Sequence, residues 1–127
     1  MCLGTVDKRY RRPLKLKQPA YGYKCLTDQG SDITPRYRTP IYDYPIEFNK
    51  WLEAKFSRWD ILAPFYRFNC DSGFHIFPSI EEATHLSRTW CGAPIAKVQY
   101  DGVIAEGFEP HGNIIVVKKM RVLEIVR

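Results

Sequence analysis

Two kinds of hydrophobic patterning run along this chain. Alternation of apolar and polar positions marks Tyr21–Thr27, Pro94–Tyr100 and the β-branched stretches Ile114–Lys118 and Met120–Val126, and these read as strands. A different period governs Ser79–Cys91, where Ile80, Ala83, Leu86 and Trp90 fall on one stripe. Pro78 cannot continue a strand ladder, the Ser79 hydroxyl can cap a helix, and Glu82 completes a capping box three residues on. Gly92 stands where a helix would stop. The spacing therefore predicts a helix over about 80–91. Ser72–Pro78 reads as a strand leading into it, with Phe74, Ile76 and Pro78 facing one way and His75 and Phe77 the other.

Three further segments carry weaker patterns. Phe48, Trp51, Leu52, Phe56 and Trp59 lie near helical spacing, which predicts a short amphipathic helix within 46–59. Asp101-Gly102 separates two alternating runs, Pro94–Tyr100 and Val103–Gly107, and predicts a tight hairpin turn between them. Ile33–Pro45 holds Pro35, Pro40 and Pro45 among tyrosines, the mark of an irregular or edge-strand path. Residues 1–18 are polar and basic, and they read as a peripheral arm. The expected architecture is α+β: a small, twisted, mainly antiparallel sheet packed against the 80–91 helix, as a single domain over 19–127.

Composition narrows the class. With 127 residues, 45% hydrophobic and 14% aromatic, the chain can build one core but not two. No apolar run approaches the roughly 20 residues of a membrane span. Met1–Val6 is followed at once by Asp7-Lys8-Arg9, without the apolar stretch of a secretory signal, so a cytoplasmic protein with reduced thiols is expected.

Charge is unevenly placed. Residues 1–38 hold nine cations against Asp7, Asp28 and Asp32, whereas the rest of the chain is close to neutral within a net +5. A basic N-terminal third can attract nucleic acid, a phosphate-bearing ligand or an acidic protein face; it can equally be a solvated arm.

Motifs for chemistry are sparse. Cys2, Cys25, Cys70 and Cys91 form no C-x-x-C pair, and the spacing of Cys70, His75, His85 and Cys91 fits no familiar zinc pattern, so no metal is expected. Glycine-rich phosphate loops, H-E-x-x-H and G-x-S-x-G are absent. Glu81-Glu82 lies in the first turn of the predicted helix, where negative charge suits the dipole. Loss of Met1 would leave Cys2 with a thiol and an α-amine on one residue, as an N-terminal nucleophile requires. His75 beside Gly73 can face a cleft, or be a half-buried structural histidine. The eight tyrosines, interleaved with arginines, can stack bases or simply form core and rim.

The pieces Met1-Cys2-Leu3, Gly22-Tyr23-Lys24, Tyr44–Trp51, Gly73-Phe74-His75-Ile76-Phe77 with Glu82-Ala83, and Met120–Glu124 resemble a group of small bacteriophage and mobile-element proteins. In those proteins the Tyr44–Trp51 region looks like a strand and turn rather than a helix. The resemblance implies an accessory protein, of anti-defence type, acting in the host cytoplasm. The order of elements is also similar to a much reduced ADP-ribosyltransferase-like fold. In that likeness Tyr23-Lys24 stands on the first strand, Gly73–Phe77 leads into the helix, and Glu124 is the late glutamate. Lys24 replaces the usual histidine or arginine, and His75 the usual aromatic.

The likeness implies capture of a nucleotide-like ligand or a host protein without turnover. The alternative is an NAD-dependent transferase with a non-standard site, and NAD is a cofactor only in that case. The expected cleft lies where Gly73–Phe77 meets Tyr21–Lys24. There Tyr23 and Phe77 would stack a base, Lys24 and Arg88 would meet phosphate, and His75 would donate a hydrogen bond. Glu124 and Cys2 are the catalytic candidates.

Overall fold

A computed structural model describes residues 5–18, 20–28, 37–38, 45–54, 73–109 and 112–127. Its scaffold is the long hairpin of β7 (Ile95–Glu109) and β8 (Gly112–Ile125), paired antiparallel from Ala96↔Ile125 to Glu109↔Gly112. Each long strand carries two short partners on its outer side. Along β7 these are β1 (Thr5–Leu14) and β2 (Ala20–Cys25); along β8 they are β6 (Phe74–Ile76) and β5 (Trp51–Glu53). A separate two-residue ladder joins β3 (Thr27–Asp28) to β4 (Tyr37–Arg38).

The sheet curls until its two sides meet. Tyr23 and Phe77 exchange backbone hydrogen bonds of 2.8 Å in both directions, so β2, β7, β8 and β6 form a ring. Bulges supply the curvature: the β7–β8 register shifts between Lys97 and Val98 and again between Val103 and Ala105. Alternation then divides the apolar residues into two sets. Phe74, Ile76, Val98, Tyr100, Met120 and Val122 pack together with Leu26 in one cluster. Phe77, Ile95, Ala105, Ile114 and Val116 pack with Cys25 beneath the helix in the other.

The helix, α1 (Ile80–Thr89), follows its sequence signals closely. Ser79 is the N-cap and its hydroxyl accepts the Glu82 N–H; Ala83 and Leu86 are the buried positions. Its C-terminal stop is a Schellman arrangement in which Gly92 N–H reaches the Ser87 carbonyl at 2.8 Å and Cys91 N–H reaches Arg88. Cys91 takes the left-handed position, φ 56°, and Gly92 follows it at φ 82°. Trp90 is only half-buried and borders a depression of about 550 Å³ with Leu26 and Pro94. It is a rim residue, not a central anchor.

Three expectations are corrected. Thr5–Leu14 is no free arm but a strand laddered to β7, because period-two backbone pairing needs no apolar face when the strand lies at an edge. Within 46–54 there is a turn followed by β5; the helical spacing of Phe48, Trp51 and Leu52 spans a turn at Asn49 (φ 61°). The remainder of that predicted helix lies outside the described residues.

The third correction concerns Asp101-Gly102. The chain runs straight through it within β7, and likewise through Lys119 within β8. The turn-type residues mark where the neighbour of β7 changes, from Ala20↔Tyr100 on β2 to Leu14↔Val103 on β1. Asp101 Oδ1 accepts the Leu16 N–H at 2.9 Å and the Gly102 N–H at 2.8 Å, and Gly102 takes φ 71°. The Asp-Gly chemistry thus serves a strand exchange at the edge instead of a chain reversal.

Candidate functional site

The β2–β6 junction, where the cleft was expected, is filled. Tyr23 and Phe77 do meet, and a methyl group added at Gly22 would overlap Ile76 Cγ2 and stand 2.8 Å from the Phe77 carbonyl oxygen. At Gly73 it would stand 2.7 Å from both Val116 Cγ1 and the Val117 carbonyl oxygen. The two glycines permit close approach, Gly22 to β6 and Gly73 to β8, and among the described residues the junction is packed at both. Lys24 and His75 are each only 8% exposed, and Phe77 is 2% exposed.

The chemistry of that junction follows from burial. Lys24 Nζ donates to the His75 carbonyl at 3.0 Å. Burial, with the Lys24 cation beside it, pushes the His75 imidazole down to about 3, so it is neutral at physiological pH. Its Nε2 is buried without a hydrogen-bond partner among the described residues. An imidazole so held does not exchange protons near neutrality. Cys25, whose Sγ donates to the Ala83 carbonyl at 3.2 Å, is pushed up to about 11 by burial and is no nucleophile.

The other expected site residues do not join this group. Arg88 is exposed on the outer side of α1, in a depression of about 520 Å³ shared with Glu81, His85 and Arg127. Glu124 is exposed on β8 opposite Lys97. The pairings Phe77–Tyr23, Tyr23–Lys97 and Lys97–Glu124 place it three ladder steps from Phe77 by way of β2 and β7, while β6 meets β8 nine residues away at Ile115. Cys2 lies outside the described residues. Among the described residues no cluster of three or more His, Cys, Asp or Glu could hold a metal ion; Cys70 is not among them. No helix among them is long and apolar enough to cross a membrane.

Among the described residues, the outer face of the sheet away from α1 carries accessible aromatic rings. Here the register sets four side chains in one row across four strands: Tyr21 opposite Gln99, Gln99 opposite Arg121, and Arg121 opposite Trp51. The row is internally connected. Arg121 donates through Nη2 to Gln99 Oε1, and its guanidinium lies 5.1 Å from the Trp51 ring centre. Lys97 Nζ lies 5.5 Å from the Tyr21 ring centre. Tyr21 is 52% and Trp51 42% exposed, so both rings offer an accessible face. Arg121 Nε is buried and has no hydrogen-bond partner among the described residues.

A shallow depression of about 360 Å³ continues the row, lined by Trp51, Leu52, Glu53, Asp101 and Lys119. Backbone N–H groups, that of Leu16 foremost, hold the Asp101 carboxyl below the usual carboxylate range. The same bond from Leu16 brings Lys15, its chain neighbour, to the edge of this face. Alternation along Lys97–Asp101 and Lys119–Val122 marks the outward positions in the sequence, but nothing there reveals that Tyr21, Gln99, Arg121 and Trp51 share a row.

Comparison with family models, with curated proteins and with solved structures found no match to this chain.

Proposed function

We propose that this is a non-catalytic accessory protein, of the kind bacteriophages and mobile elements carry against host defence, that captures a nucleotide-like ligand on the open sheet face. One observation carries the reading: two exposed aromatic rings, each with a cation over it, joined in a single row by Gln99 and Arg121. Aromatic faces stack bases, and guanidinium and ammonium groups meet phosphate. The placement of two expected site residues supports a reading without turnover. The His75 imidazole is sealed and neutral, and Glu124 projects from a terminal strand beside Lys97. The NAD-dependent transferase alternative needs those two residues at one cleft.

Calorimetric titration with AMP, ADP-ribose and NAD tests the reading. Wild-type protein binds at least one of them, and Trp51→Ala or Tyr21→Ala weakens that binding while Lys24→Met does not. Release of nicotinamide from NAD would establish the transferase instead. A folded protein that binds none of these ligands, and no oligonucleotide, would leave capture of a host protein as the function.

A further inference from the structure

The two rings are too far apart to serve one base. Three strand spacings of ~4.8 Å separate Tyr21 on β2 from Trp51 on β5, about 14 Å across the sheet. That span equals roughly four stacked nucleotide steps of ~3.4 Å, and fewer once a strand is stretched. Between the rings lie hydrogen-bonding and cationic groups, not apolar ones: Gln99, Arg121 and Lys97. At the rim of the same face stand Lys119, opposite Asp101 and Glu53, and Lys15 beside the Leu16–Asp101 bond. Four cations thus face the three carboxylates of Glu53, Asp101 and Glu124, and Asp101 is already engaged by two backbone N–H groups.

We infer that the face holds a single-stranded nucleic acid running across the strands, with one base stacked on Tyr21, another on Trp51, and the intervening phosphates toward Lys97 and Arg121. The inference rests on the nucleotide-binding reading above and extends it from a free nucleotide to a strand. A strand fits where a duplex does not, because a stacked base pair hides the faces that exposed rings require. Arg121 suits the middle of the row. Its guanidinium lies over Trp51 with Nη2 given to Gln99. A strand recognised by stacking and charge alone is held with little base preference and strong salt dependence.

Fluorescence anisotropy with labelled thymidylate oligomers from one to eight residues tests this. Affinity should climb with length up to about four or five nucleotides, the number that reaches both rings, and then level off. Pentathymidylate should bind more weakly as salt rises, and a duplex of the same sequence should bind at least tenfold more weakly. Trp51→Ala and Tyr21→Ala should each cost roughly five- to hundredfold. Trp51→Phe and Tyr21→Phe, which keep a ring, should restore most of it. Running pentauridylate beside pentathymidylate separates RNA from DNA as the source of the strand.

If thymidine monophosphate binds as tightly as the pentamer, or if ADP-ribose binds and no oligomer does, the strand inference falls while the nucleotide reading stands. If neither class binds, both fall. Oligomer binding that Trp51→Ala and Tyr21→Ala leave intact, with unchanged circular dichroism, also overturns the assignment to this face. So does concentration-dependent dimerisation that these substitutions abolish, because a second copy would then be the occupant.

Discussion

Strand β2 carries its residues to two different fates. Gly22 and Lys24 turn toward β6, where Gly22 is pressed against Ile76 and Lys24 donates to the His75 carbonyl. Tyr21, one residue away, points out to solvent beside Lys97 and Gln99. The first region holds the residue types that suggest a site, namely histidine, lysine, aromatic and two glycines, yet it is closed. The second holds an ordinary mixture of residues, and its two rings are exposed although Gln99 between them is buried. Chemistry-bearing side chains at a ring closure serve packing, whereas accessibility and register decide where a ligand can rest.

The contrast can be broken most directly at Phe77. Phe77→Ala removes a side chain at the closure of the ring and should cost about 3–5 kcal/mol, read as a large drop in the urea midpoint. A midpoint close to wild type would mean that the β2–β6 junction is not closed.

Next in size is the pH dependence carried by His75. Its folded value near 3 lies below the unfolded 6.5, so between these limits the unfolded chain binds the extra proton. The stabilising contribution is complete above pH 6.5 and is lost progressively as pH falls, amounting to about 3 kcal/mol by pH 4 at 1.36 kcal/mol per unit. Urea midpoints measured from pH 7 to pH 4 should fall steeply for wild type and more gently for His75→Asn. Parallel profiles would show that the imidazole is solvated. Glu82, raised by burial, works in the opposite sense, its contribution being lost as pH rises above its ordinary range; comparing wild type with the variant cancels it.

Gly22→Ala tests the close approach itself. Its methyl would have to displace the Phe77 carbonyl as well as the Ile76 side chain, at a cost of roughly 1–3 kcal/mol. Stability unchanged by the extra methyl would indicate a gap between the strands. The smallest stability effect belongs to the open face. Trp51→Ala should shift stability by about 0.5 kcal/mol or less while removing ligand binding, so the two regions separate cleanly into one that holds the fold and one that holds a ligand.

Helix α1 was legible because all its determinants are local: a cap, a stripe of period 3.6 and a stop within fourteen positions of one another. The strands of the last third were legible by alternation, but their division was not. Asp101-Gly102 has the composition of a hairpin turn, and only the neighbouring strands show that β7 passes through it while β2 gives way to β1. The 46–54 stretch misled for a related reason: apolar residues on both sides of a turn can mimic a helical period when the turn's length happens to match it. The Tyr23–Phe77 meeting was anticipated from Gly22 and Gly73. That the meeting would be a backbone bridge and not a cleft depended on how tightly the sheet curls.

What the sequence determined by itself was therefore the class of the elements whose signals are local, helix α1 and the alternating strands of the last third, and the residues that face in and out of them. Helical and extended periods are properties of consecutive side chains, and burial of one face follows from them. The tertiary structure alone decided which faces meet. Register between strands distant in sequence, the two bulges of the β7–β8 hairpin and the closure of β2 on β6 are set by packing across the whole sheet. Those long-range choices sealed His75 and Lys24 inside and set Tyr21, Gln99, Arg121 and Trp51 in one row, its two end rings exposed and Gln99 buried between them.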